Sequence, residues 1–128
     1  MEVRIPKDKN FEFTKCKELY ELNQSLINDD VSFEDIANNT FFYSFYKDKT
    51  LIGCIYLYYK FSKLFLNGFS QRKYFLFNIS ALKKILEWFT CDIYVESVQK
   101  PAILVILRCG FKKIGKNLFI HYNETPPY

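Results

Sequence analysis

Residues 99 to 111, Gln99-Lys-Pro-Ala-Ile-Leu-Val-Ile-Leu-Arg-Cys-Gly-Phe111, decide the fold, and they follow the strand-like run Asp92-Ile-Tyr-Val-Glu96. Pro101 suits the first turn of a helix, where its missing N–H removes no bond, and Gly110 supplies a left-handed stop. The six consecutive apolar residues Ala102 to Leu107 surround that helix and predict deep burial. Beyond it, Phe111-Lys-Lys-Ile-Gly115 and Asn117-Leu-Phe-Ile-His-Tyr122 read as a final pair of strands turning at Gly115-Lys116-Asn117.

Towards the N-terminus, Ile79, Leu82, Ile85, Leu86 and Phe89 recur at helical spacing, with Lys83, Lys84 and Glu87 on the outside. Before them come three strand signals. Phe41-Phe-Tyr-Ser-Phe-Tyr46 and Leu51-Ile-Gly-Cys-Ile-Tyr-Leu-Tyr-Tyr59 flank the polar turn Lys47-Asp-Lys-Thr50, and Lys63 to Phe69 follows. Crowded aromatic and β-branched side chains suit a pleated surface, and Gly53 within a strand suggests a bulge or a close backbone approach. Further back, Cys16, Leu19, Leu22 and Leu26 form one helical stripe that Asn28-Asp29-Asp30 ends, and Ser32 caps a short second helix with Asp35 in its first turn. Val3 to Ile5 form a short opening strand. The order is strand, two helices, three strands, helix, strand, helix, two strands. It predicts one α+β domain over residues 1–122 with about six or seven strands and about four helices. Residues 123–128, with Pro126-Pro127, form a tail.

The chain has 128 residues, enough for one core and too few for two. Fourteen Phe and ten Tyr exclude a disordered chain. No apolar run reaches the roughly 18 to 20 residues of a membrane span, and the first residues lack the order of a signal peptide, so a soluble, cytoplasmic protein is expected. Cys16, Cys54, Cys91 and Cys109 are scattered and His121 is the single histidine, so buried free thiols are expected and a metal site is not. Residues 1–59 hold seven basic against ten acidic residues, and residues 60–116 hold eleven against three. A basic half of this kind suits a polyphosphate, a nucleic acid or an acidic protein surface, although lysines that merely solvate helix faces give the same count.

The strand, Gln99, Ala102, helix and Gly110-Phe111 together resemble the closing segment of the GNAT superfamily of acyl-CoA-dependent N-acyltransferases, and the element order resembles that fold over residues 1–122, which implies an α/β/α layering around a central mixed, mostly antiparallel sheet. The resemblance implies a pyrophosphate loop of RxxGxG type after the fourth strand. Glycines there let backbone N–H groups reach phosphate oxygens at a helix N-terminus. The matching stretch here is Gln71-Arg72-Lys73-Tyr74-Phe75-Leu76-Phe77-Asn78, in which Phe75 and Phe77 stand where the glycines belong. Gln71, Arg72 and Lys73 are left as the candidate phosphate-binding residues, and Gln99 replaces the family's Asn as a further contact to the cofactor. The bland alternative makes the rings packing residues and the cations a solvated corner.

A further departure bears on chemistry. Where the family carries a tyrosine that protonates the departing thiolate, this chain has Ile106, so general-acid help of roughly 100- to 10,000-fold is missing unless another group supplies it. Glu96 as a base acting through water and Tyr94, both on the fifth strand, are the catalytic candidates; Cys109 and His121 are the remaining titratable groups nearby. Each also has a plain packing role available. The resemblance thus implies two functions. One is a divergent protein whose acetyltransferase activity is lost or weak and which serves as a binding or structural module without cofactor; its small, aromatic-rich form is similar to GNAT-like phage proteins, which implies a virion-associated location and a protein partner. The other is an active acetyl-CoA-dependent N-acetyltransferase acting on an amine. Nucleic-acid binding through residues 60–116 is a third possibility, and bulky rings at 75 and 77 are expected to fill the cofactor's cleft.

Overall fold

The computed structural model describes residues 1–24 and 31–123. It contains β1 (Glu2–Arg4), α1 (Phe13–Asn23), α2 (Phe33–Asn39), β2 (Phe41–Lys47), β3 (Thr50–Lys60), β4 (Lys63–Ser70), a 3-10 turn (Arg72–Tyr74), α3 (Phe75–Leu86), β5 (Ile93–Glu96), α4 (Lys100–Arg108), β6 (Lys112–Gly115) and β7 (Leu118–His121). This is the element order expected from the sequence. Leu26, the Asn28–Asp30 stop and the Pro126-Pro127 tail lie outside the described residues.

All seven strands form one sheet in the order β1-β2-β3-β4-β5-β7-β6, antiparallel except for β4 beside β5. Alternate residues of β3 serve different layers. Cys54 and Tyr56 join a cluster with α1 and α2, whereas Leu57 joins Leu82, Ile85 and Ile106 of α3 and α4 on the opposite face. The α1 and α2 side is dominated by rings, with Phe33 and Phe42 meeting edge to face at 5.6 Å. The other side is mostly aliphatic.

Local chemistry explains the turns. Asp48 and Lys49 carry φ of 49° and 64°, and Phe61 and Ser62 carry 54° and 61°, so both hairpins close on two left-handed residues whose twist matches that of the strands. Ser32 Oγ accepts the Asp35 N–H at 3.2 Å, as its capping role requires. Gly110, at φ 94°, ends α4, and the Phe111 N–H returns to Ile106 O at 3.1 Å. Gly53 marks both a bulge and a close approach: the β2–β3 register slips beside it, and a Cβ there would lie 2.6 Å from that of Ser70.

Three expectations change. Leu22 is 80% exposed, because α1 turns Cys16, Leu19 and Tyr20 inward instead. α3 starts at Phe75, so the segment read as a phosphate loop is a 3-10 turn and the first turn of a helix. α4 is not deeply buried: it packs on one side only, and of its residues Ile106 alone is buried, with Leu104 and Leu107 in solvent. Three cysteines are buried and Cys91 is exposed. Among the described residues no helix is long and apolar enough to cross a membrane, and no cluster of His, Cys, Asp and Glu is placed to hold a metal ion.

Candidate active site

β4 and β5 pair only at Leu64↔Ile93 and Phe65↔Tyr94 and then part. Each has another neighbour that holds it. β4 stays with β3 as far as Ser70↔Gly53, where the Gln71 N–H donates to Ile52 O at 2.9 Å. β5 stays with β7 through Glu96↔Leu118, and the Ser97 N–H donates to Asn117 O at 3.0 Å. The result is a gap at the carboxyl ends of two parallel strands, the place where open α/β sheets collect ligands. A cleft of about 800 Å³ occupies it, continuous through shared walls with an inner, mostly apolar cavity of about 160 Å³ beneath α3 and α4.

Backbone geometry fixes what faces the gap. In an antiparallel ladder successive residues turn their amide groups to opposite sides. Gln71 is bonded to β3, so Gly68 and Ser70, at odd steps from it in an unbroken register, turn theirs away, towards the gap. The Gly68 N–H is held by the Oδ1 of Asn67 at 2.8 Å. Asn78 of α3 donates from Nδ2 to Ser70 Oγ at 2.8 Å across the floor. Ser97 Oγ accepts the Gln99 N–H at 3.2 Å, which leaves its own proton for the cleft that it lines.

Of the residues singled out from sequence, Glu96, Arg72 and Gln99 line this cleft. The Glu96 carboxylate pairs with Lys60 Nζ at 3.1 Å, both side chains being about half exposed. Gln99 precedes the first turn of α4 and its side chain makes no cap. Tyr94, Gln71 and Lys73 are not among the lining residues. Tyr94 packs its ring 5.5 Å from Phe65 with Lys63 Nζ 5.1 Å above it, Gln71 Nε2 donates to Leu51 O at 2.6 Å to hold β4 on β3, and Lys73 leans over Tyr74 at 5.2 Å. Cys109 turns to α3, its Sγ 3.6 Å from Ile79 O, and burial pushes its thiol up. His121 packs 5.3 Å from the Phe111 ring.

The rings do not fill the cleft. Phe77 packs into the core, and Phe75 forms part of the cleft wall. Ile106 lines the inner cavity and brings no proton. Sequence reading missed Ser97, Asn67, Ser70, Asn78 and Tyr58, the one tyrosine on the cleft wall among the described residues. Strand alternation could have put Asn67 and Tyr58 on one face of the sheet, but nothing in the sequence signals that β4 and β5 part.

No family model matches the chain, and no curated protein does. Solved structures do. An aminoglycoside 6'-N-acetyltransferase from Enterococcus faecium superposes with a TM-score of 0.72 over 100% of both chains at 12% identity. An N-acetyltransferase from Staphylococcus aureus Mu50 gives 0.67 over 95% of both chains at 18% identity. An aminoglycoside 6'-N-acetyltransferase complexed with coenzyme A gives 0.68 over 100% of both chains at 12% identity. At these identities the likeness is one of fold.

Proposed function

We propose that this chain, GNAT in its fold, binds a pantetheine thioester in the β4–β5 cleft and passes the acyl group slowly to an amine. The observation that carries the reading is the parting of β4 from β5, which turns the amides of Gly68 and Ser70 towards a cleft that leads to an apolar cavity. The presence of coenzyme A in one similar structure supports it.

The residues fit a pantetheine arm: a narrow slot with strand amides on one wall and Ala102 and Val105 of α4 on the other. They fit a nucleotide diphosphate poorly, since no glycine occurs between Gly68 and Gly110 to form a cradle. When bound, a thioester supplies a carbonyl carbon at which one C–N bond forms and one C–S bond breaks. The Gly68 and Ser70 amides are placed to stabilise negative charge on its oxygen once Asn67 releases the first of them. Glu96 takes the proton of the incoming ammonium through water, helped little or hindered little by its exposed partner Lys60. Protonation of sulfur falls to Ser97 or Tyr58, of which the phenol is the stronger acid, and the absence of a phenol at Ile106 makes the transfer slow.

Calorimetric titration with acetyl-CoA and with acetyl-4'-phosphopantetheine tests this. Saturable binding of at least one thioester is expected, weakened at least tenfold by Ala102→Phe, whose ring would enter the slot. No heat with either at millimolar concentration would remove the reading and leave a purely structural module.

A further inference from the structure

The outer face of α4 and the adjoining turns of α3 have a character that the fold itself does not need. Leu76, Leu104 and Leu107 are 72%, 51% and 45% exposed among the described residues. The 3-10 turn, α3 and α4 carry six basic residues, Arg72, Lys73, Lys83, Lys84, Lys100 and Arg108, against one acidic residue, Glu87, which caps α3. The patch is continuous with the cleft. The Arg108 guanidinium lies 5.5 Å over the ring of Phe75, and Phe75 and Arg72 are cleft residues. Apolar side chains inside a predominantly basic rim mark a surface for an oppositely charged macromolecule.

The cleft says which one. A nucleotide thioester brings a diphosphate, a further phosphate and a base, and the glycine cradle for these is missing. What remains on the cleft wall for a phosphate is the single guanidinium of Arg72, enough for one phosphate and not for a diphosphate with its nucleotide. One phosphate, a pantetheine arm and an acidic helical surface are what a phosphopantetheinylated carrier protein presents.

We infer that the acyl donor is borne on a small acidic carrier protein, docked on the α3–α4 patch so that its phosphopantetheine arm enters the β4–β5 cleft. This rests on the thioester reading above. The patch then contributes affinity that the missing cradle does not, and its rim makes association salt-sensitive.

The test titrates the full chain with a butanoylated bacterial fatty-acid acyl carrier protein, its apo form, butanoyl-CoA and free butanoyl-4'-phosphopantetheine, by calorimetry and by amide NMR of the carrier. The expected result is that the charged carrier binds at least tenfold more tightly than butanoyl-CoA. Leu104→Glu together with Lys83→Glu, both on the surface and outside the cleft, should weaken the carrier at least tenfold and leave the free phosphopantetheine thioester within twofold, with the melting temperature confirming the fold. Equal or tighter binding of butanoyl-CoA, or a carrier affinity indifferent to the double substitution, overturns the inference while the thioester reading stands. Failure of both the free phosphopantetheine thioester and butanoyl-CoA to bind removes both, whereas failure of the free thioester alone, with butanoyl-CoA bound, overturns the inference only. A single-stranded oligonucleotide that displaces the carrier at 150 mM salt would assign the patch to nucleic acid and overturn it too.

Discussion

The two edges of β4 are built from the same residues and do opposite things. Towards β3 the strand is paired from Lys63 to Ser70, eight positions without a break, and towards β5 it is paired at two. The closed edge joins rings and backbone into a continuous sheet. The open edge leaves polar backbone at the mouth of an apolar cavity, a state that is unfavourable for folding unless a partner or water satisfies it. Sheet pairing is thus placed on one side of the strand and the candidate site on the other, and substitutions should separate the two.

The largest effect belongs to the closed side. Phe42→Ala, which removes a ring 2% exposed and in contact with Phe33 and Tyr56, should cost about 3–5 kcal/mol in urea unfolding. A loss below about 1 kcal/mol would mean that the ring cluster is not what holds this half. Gly53→Ala should cost about 1–3 kcal/mol, since its methyl would meet Ser70 Cβ at 2.6 Å and Phe69 O at 2.9 Å. On the open side, Ile106→Tyr should raise the transfer rate by about 100-fold, by putting a phenol where the inner cavity of about 160 Å³ leaves space, with thioester affinity little changed. An unchanged rate in a folded variant would show that protonation of sulfur is not what limits turnover. The smallest effect is that of Lys60→Ala, which breaks a half-exposed ion pair with Glu96 and should alter stability by less than about 1 kcal/mol. Its use is to sharpen the contrast: a fall in transfer rate without a change in unfolding would tie Lys60 to the site alone.

The closed side was the more legible from sequence because its signals are local. The Ser32 cap, the turn at Asp48 and Lys49, the bulge and close approach at Gly53 and the left-handed stop at Gly110 each follow from a residue's own chemistry and that of its near neighbours. The open side depends on what is distant in sequence. Asn67, Asn78, Ser97 and Asn117 come from four segments and meet only because β4 and β5 separate. Two readings failed for related reasons. Phe75 and Phe77 looked like misfits in a loop because the resemblance demanded glycines there, whereas they begin a helix with one ring in the core and one at the cleft. The run Ala102 to Leu107 looked buried because apolar count was taken for burial, yet a helix lying on one layer can hide only one side. Of the candidate residues, the charged and amide side chains at strand and helix ends, Glu96, Arg72 and Gln99, reached the cleft. Those consumed by packing, Tyr94 and Gln71, did not.

The hydrogen bond from the Gly68 N–H to Asn67 Oδ1 gives the cleft an occupant of its own. A tethered carbonyl already sits on the donor proposed for an arriving thioester, so on that reading the two would compete for it. A spent thiol has lost its thioester carbonyl and contends for that donor only with the amides of its arm, so the return of the asparagine would assist its departure. Asn67→Ala should therefore retain the free thiol of pantetheine longer, visible as stronger product inhibition.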